Sequence, residues 1–121
     1  MIPARMAIRM LRQFRPGASW YLLQARGGSN TDGILSSDFR NQVTIVFENI
    51  AIALASKGLK MENIAKLTTL VVDYDEEKHQ ILIEESNKIW PDQKFPVNTL
   101  IPVQKLALNG MLIEIDATAI G

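Results

Sequence analysis

The sequence predicts a single α+β domain in which a mixed β-sheet carries two helices on one face. Three observations support this prediction: two segments with helical spacing of apolar residues, several β-type segments around them, and their order along the chain. The chain has 121 residues, of which 47% are apolar and 21% are charged, and this composition is typical of one globular domain. We therefore predict one domain over residues 1–121.

Composition excludes several classes of function. The sequence has no cysteine, which rules out disulfides, thiolate metal sites and a cysteine nucleophile. Its 13 basic and 13 acidic residues cancel, so no broad positive field attracts nucleic acid or an anionic membrane. The longest apolar run, residues 50–55, is far shorter than the ~20 residues that span a bilayer. These features predict a cytoplasmic protein with a small-molecule or protein partner.

The start of the chain is rich in arginine and precedes the first acidic residue. Its basic residues are Arg5, Arg9, Arg12, Arg15 and Arg26. Such a segment imitates a transit peptide, but Ile8, Met10 and Phe14 alternate with polar neighbours, which favours a strand. We expect the arginines to form a solvated face or a subunit contact.

A strand, a turn, a second strand and a loop are predicted up to residue 33. Pro16 and Gly17 lie between two β-type runs, residues 6–14 and 19–23, and a hairpin is the simplest arrangement. Residues 26–33 are dense in residues that favour loops. Their glycines lack the spacing of a phosphate-binding motif, so we interpret the segment as a connection.

Residues 38–57 form the first predicted helix. Its apolar side chains recur at steps of three and four: Val43, Val46, Phe47, Ile50, Ala53 and Leu54. This is helical spacing. Ser37 or Asp38 can cap the first turn, and Gly58 is placed to end the helix in the left-handed conformation.

A strand, a helix and two further strands follow. Residues 66–73 are rich in β-branched and apolar residues, which predicts a buried strand. Acidic residues 75–77 favour a helix start because of the helix dipole, and Pro91 stops that helix. Residues 95–103 and 111–120 are predicted strands, and in the second one apolar and polar residues alternate, which predicts one polar face.

The order of these elements places both helices on one face of the sheet. A chain of this length has no third layer to cover the opposite face. We therefore expect the protein to self-associate through its sheet.

Several of these segments resemble motifs of the Rid family, also called YjgF-like proteins. The helix from DFRNQ at residues 38–42 through ENI at residues 48–50 resembles the family's D-F-x-x-Q…x-E-N-[IL]. Residues 66–73, KLTTLVVD, resemble its K-x-T-x-x-[VL]-x-D strand. Residues 96–100, PVNTL, and 114–117, EIDA, resemble the closing P-A-R-[ST]-x-V…E-I-E-A. The resemblance covers roughly residues 38 to 120.

The resemblance implies a chorismate-mutase-like α+β subunit, a homotrimer, and a ligand cleft at each subunit interface. Characterised members of the family hydrolyse enamine and imine products of amino-acid dehydratases to 2-oxo acids and ammonia, without metal or organic cofactor. In such enzymes an arginine, at the position that matches Asn98, binds the substrate carboxylate through two charge-assisted bonds. A glutamate that matches Glu114 orients or activates the attacking water.

The sequence departs from this pattern in the expected cleft. Asn98 replaces the arginine, and Leu22-Leu23-Gln24 stands where members show S-G-Q. The expected catalytic residue is Glu114, and the expected substrate-binding residues are Asn98, Thr99, Gln24 and Arg26. Two alternatives stay open, because Glu114 also fits a solvent-facing strand and Arg26 either replaces the missing charge or is solvated.

Two further polar residues match family positions or invite a chemical role. Gln42 is expected to satisfy backbone groups or subunit contacts rather than to bind substrate. His79, the only histidine, has no second ligand at metal-binding spacing, so we assign it no chemistry and expect no metal site.

Three functions are compatible with this sequence. The favoured one is a homotrimer that binds a small metabolite with a neutral or weakly polar group, without the standard deaminase activity, because Asn98 and the apolar Leu22-Leu23 change the cleft. The identity of the ligand stays open, and 2-oxo and 2-imino acids are among the candidates. The second is a divergent enamine or imine deaminase, which Glu114 supports. The third, an RNA-directed or translation-inhibiting role, is disfavoured by zero net charge and by the lack of clustered histidines or aromatic platforms.

Overall fold

The computed structural model describes residues 17–26 and 35–121, without the side chain of Arg26. The predicted strand at residues 6–14, and with it the hairpin, lies outside the described residues, as do most of the predicted loop and the arginines before residue 17.

The described residues form one four-stranded sheet and two α-helices. In chain order the elements are β1 (Trp20–Arg26), α1 (Phe39–Ala55), β2 (Ile64–Val72), α2 (Glu76–Ile89), β3 (Val97–Val103) and β4 (Ile113–Ile120). The strand order is β1-β4-β2-β3. β2 and β3 are parallel, whereas β4 is antiparallel to both β1 and β2. The predicted α+β mixed sheet with two helices is confirmed.

Alternation along β4 separates the two faces of the sheet. Ile113, Ile115, Ala117 and Ala119 are buried and share one core with apolar residues of α1 and with Leu82 of α2. The residues between them are half-buried or exposed: Glu114, Asp116 and Thr118. The second face, which we call the open face, carries the predicted polar side of β4 and lies away from the helices.

Helix α1 begins and ends as the sequence predicts. The Asp38 side chain caps its N-terminus by accepting a hydrogen bond from a first-turn amide. At the other end Gly58 adopts a φ of 71°. Its N–H donates to the carbonyl of Ala55, and the next N–H, that of Leu59, donates to the carbonyl of Leu54. This is a Schellman motif, which satisfies carbonyls at the helix end.

Gln42 ties α1 to the segment that enters β4. Its side chain is fully buried. Its Nε2 donates to the carbonyls of Ser36 at 2.7 Å and Gly110 at 2.8 Å, and its Oε1 accepts from the N–H of Leu112 at 2.8 Å. Gln42 therefore satisfies backbone groups of the residues just before α1 and of the distant segment 110–112, as the sequence predicts, rather than facing a ligand.

We expect Gln42→Leu to lower the free energy of unfolding by about 2–3 kcal/mol, because three part-buried backbone groups lose their side-chain partner and an unmet buried group costs ~1–3 kcal/mol. Urea unfolding measures the effect. Asn41→Leu is the matched control, since Asn41 is exposed on the same turn, and it should change stability by less than about 0.5 kcal/mol. Equal effects of the two substitutions would contradict the role of Gln42.

Arg40 joins the two helices on the outer side of the molecule. One guanidinium nitrogen lies 2.6 Å from a carboxylate oxygen of Glu84, and the other lies 3.0 Å from one of Glu85. Lys88 also contacts Glu85, at 3.1 Å. The hydrogen bond from Arg40 holds the pKa of the Glu84 carboxyl below its ordinary value.

This lowered pKa predicts that the stabilising effect of the Arg40–Glu84 ion pair between the helices is lost in acid. A carboxyl with a depressed pKa in the folded state stabilises the protein above its unfolded pKa, and that contribution is lost as the pH falls through the folded value. Arg40→Met should therefore destabilise the protein at pH 7, and the difference from wild type should shrink as the pH falls below 4.5, the ordinary value for Glu84. Urea midpoints across this range measure the effect. Lys57→Met, at an exposed position after α1, is the control. A loss of stability of similar size and pH dependence in this variant would refute the assignment of the effect to the Arg40–Glu84 pair.

Candidate functional site

The open face brings Gln24 and Glu114 together. Gln24 lies on β1 and is exposed, and Glu114 lies on β4 and is half-buried. The amide Nε2 of Gln24 donates to Oε1 of Glu114 at 3.1 Å. The register pairs Gln24 with Asp116, so this bond runs diagonally between neighbouring strands. A hydrogen bond to a carboxylate is charge-assisted, and it orients the Glu114 side chain.

A row of polar side chains crosses the open face beside this pair. The register aligns one residue from each strand, in the order Gln24, Asp116, Thr68 and Thr99. Thr99 ends the row on β3, which is an edge strand. Exposed apolar residues share the same face, notably Leu22 at 85% and Ile101 at 42% relative exposure. The open face is therefore mixed in character.

Asn98 lies on the other face of the sheet. It pairs with Leu67 in the parallel register, and Leu67 is buried on the helix side. The hydroxyl of Thr69, which is 2% exposed, donates to Oδ1 of Asn98 at 2.9 Å. Asn98 itself is exposed on the edge strand.

Asn98 and Glu114 are thus separated within one subunit. Glu114 pairs with Leu70, and Leu70 pairs with Ile101 on β3. Asn98 lies two strands from Glu114, roughly 10 Å across the sheet, and three residues from Ile101, roughly 10 Å along the strand. The two side chains also point to opposite faces. One subunit alone does not place both around a small ligand.

The remaining predicted residues have different outcomes. Arg26 ends β1, and its backbone pairs with Glu114, but its side chain lies outside the described residues. His79 is exposed, and its Nδ1 lies 2.6 Å from the hydroxyl of Tyr74. Within residues 17–26 and 35–121 no group of three or more His, Asp or Glu side chains is arranged to hold a metal ion.

Sequence reasoning did not single out Thr69. The signal that could have found it is a hydroxyl midway between the apolar Leu67 and Val71, at an alternating position of a buried strand where apolar residues are usual. The hydrogen bond of Thr69 to Asn98 nevertheless depends on the parallel register of β2 and β3, which brings the two side chains together.

Comparisons with known proteins identify the family. A family model described as endoribonuclease L-PSP matches residues 24–121. The chain belongs to this family, the Rid or YjgF-like proteins. It is 32% identical over 93 residues to a RutC family protein of Aquifex aeolicus, covering 73% of this chain and 69% of that protein. It is also 30% identical over 92 residues to the RutC family protein YjgH of Escherichia coli, covering 76% and 68%.

Solved structures of this family share the fold. YjgH superposes with a TM-score of 0.75 at 28% identity, covering 84% of this chain and 75% of that one. YyfB of Yersinia pestis, a Rid family protein, superposes with a TM-score of 0.73 at 27% identity, covering 81% and 77%. Escherichia coli TdcF, solved with bound serine, has a TM-score of 0.75 at 19% identity, covering 88% and 84%, and this likeness shows the fold alone.

Neither helix in the described part of this Rid chain has the length and apolar character that a membrane-spanning helix needs.

Proposed function

We propose that this Rid protein is a homotrimer that binds a small metabolite in clefts between its subunits and does not accelerate imine deamination. The proposed ligand is a 2-oxo or 2-imino acid. The observation that carries the proposal is Asn98, a neutral amide at the position that the family resemblance assigns to the carboxylate-binding arginine. A neutral hydrogen bond contributes ~0.5–1.5 kcal/mol against ~1.5–3 for a charged one, so carboxylate binding weakens by about one to two orders of magnitude.

The geometry of the sheet supports a cleft built from two subunits. Because Asn98 and Glu114 lie far apart and on opposite faces, a ligand a few ångströms long that touches both needs Asn98 from β3 of one subunit and the Gln24–Glu114 pair of its neighbour. Exposed apolar side chains on the open face, including Trp20 at 62%, also favour association through this face. TdcF, solved with bound serine, has the same fold with a ligand of amino-acid size.

The second candidate function is a divergent enamine or imine deaminase, which the Gln24–Glu114 pair favours. A carboxylate held in one orientation on the cleft side can position a water molecule for attack on an imine carbon. We do not propose RNA cleavage, which the family model's description names, because the zero net charge of the chain gives no overall electrostatic attraction to RNA.

An ammonia-release assay separates binding from catalysis. With 2-iminopropanoate generated in the reaction, the wild-type protein should not raise the rate of ammonia release. Asn98→Arg should strengthen the binding of 2-oxobutanoate by about ten- to a hundredfold. Asn87→Arg, which adds the same charge at an exposed position of α2, should not. A wild-type acceleration that Glu114→Gln abolishes would establish the deaminase function instead.

Mixed trimers test the two-subunit cleft. Asn98→Asp places a carboxylate against an acidic ligand, and like charges in contact weaken binding strongly. Gln24→Trp fills the other side of the proposed cleft. Each variant alone should lose 2-oxobutanoate binding. In a trimer that contains both kinds of subunit, one cleft combines a native Asn98 with a native Gln24, so calorimetry should detect about one binding site per trimer.

The alternative arrangement predicts a different stoichiometry. If Asn98 and Gln24 of the same subunit formed the cleft, mixed trimers would have no intact site and would bind nothing. Trimers assembled from two differently tagged wild-type chains are the control for the purification. A monomeric or dimeric wild-type protein in sedimentation would contradict the trimer itself.

A further inference from the structure

We propose that Thr69 is a positioning residue that makes the Asn98 site selective for ligands with hydrogen-bond acceptors. This inference rests on the proposed function and deepens it, because it assigns the chemical type of group that Asn98 receives. Thr69 touches no ligand in this proposal; it acts through the orientation of the Asn98 amide.

The hydroxyl of Thr69 is enclosed by apolar side chains. Leu67 and Val71 flank it on β2 and are 3% and 0% exposed. On the neighbouring strands its register partners are Ile115 and Leu100. None of these side chains accepts a hydrogen bond. A buried hydroxyl needs a partner, and Oδ1 of Asn98, at 2.9 Å, is the side-chain acceptor that this part of the sheet provides.

This bond determines which end of the Asn98 amide is available. With Oδ1 facing the Thr69 hydroxyl, the Nδ2 group points away from it on the exposed edge strand. A flipped amide would direct its N–H groups at the hydroxyl and leave the hydroxyl proton without a side-chain acceptor. The exposed end of Asn98 therefore presents two N–H donors.

Two N–H donors define the class of ligand group that suits this site. Carboxylate and carbonyl oxygens accept hydrogen bonds, and a 2-oxo acid carries both. An ammonium group only donates, so it finds no partner on Nδ2. A fixed amide also loses less conformational freedom on binding than a rotating one, which favours affinity. In this arrangement a neutral side chain still recognises an acidic ligand.

The first test uses the ligand-free protein. We expect the Asn98 side-chain NH₂ group to show restricted motion in ¹⁵N relaxation measurements, in contrast to the exposed Asn87 on α2. Thr69→Val, which keeps the shape and removes the hydroxyl, should make the Asn98 NH₂ group mobile. Thr69→Ser should keep it ordered. An Asn98 NH₂ group as mobile as that of Asn87 in the wild-type protein would overturn the proposal without any variant.

The second test measures pyruvate binding through the same NH₂ resonance. Thr69→Val should raise the dissociation constant for pyruvate by about three- to tenfold, the effect of one neutral hydrogen bond. Thr69→Ser should leave it within about twofold of the wild-type value. Thr44→Val is the matched control, because Thr44 lies on α1 and its hydroxyl donates to the carbonyl of Arg40 within the same helix. An unchanged affinity in Thr69→Val, with wild-type binding intact, would refute the proposal. Absence of pyruvate binding in the wild type would contradict the proposed ligand, whereas the relaxation test would still decide the role of Thr69.

Discussion

The alternation of side chains along β4 is the constraint on which the rest of this structure depends. β4 lies inside the sheet and pairs with β1 on one side and β2 on the other. Its buried residues at 113, 115, 117 and 119 form the floor on which α1 packs, and this arrangement fixes Glu114, Asp116 and Thr118 on the open face. A register shift of one residue would exchange these two sets, burying two carboxylates in the core. The position of the candidate cleft residue Glu114 is thus a consequence of core packing.

Gln42 extends this constraint to the loop that precedes β4. Its amide binds backbone groups of residues 36, 110 and 112, so α1 and the start of β4 are held in one relative position. A residue of a family motif therefore serves the fold, and its match to other Rid proteins reflects architecture more than chemistry. Motif residues that serve the fold and motif residues expected to face a ligand both support family membership, but only the second kind bears on function.

The separation of Asn98 from Glu114 within one subunit is the physical reason for proposing a site shared between subunits. Asn98 is on an edge strand, where backbone groups and side chains of one subunit are accessible to the next. The Gln24–Glu114 pair lies toward the other edge, on the opposite face. In the proposed function the neutral Asn98 weakens acid recognition, whereas the Gln24 amide orients the Glu114 carboxylate through a hydrogen bond.

Much of the architecture is encoded locally in the sequence. The apolar spacing in residues 38–57, the Asp38 cap and Gly58 predicted α1 to within a few residues, because helical contacts join residues three and four positions apart. Period-two alternation likewise predicted the polar side of β4. The side-chain pairs of the candidate site were not accessible in this way. Gln24 and Glu114 are 90 residues apart, and Thr69 and Asn98 are 29 apart. Such pairs depend on which strands become neighbours and in what register, and only the tertiary structure decides that. The face of the sheet on which Asn98 lies, for example, follows from its pairing with Leu67 on β2 and not from its own neighbours in the chain.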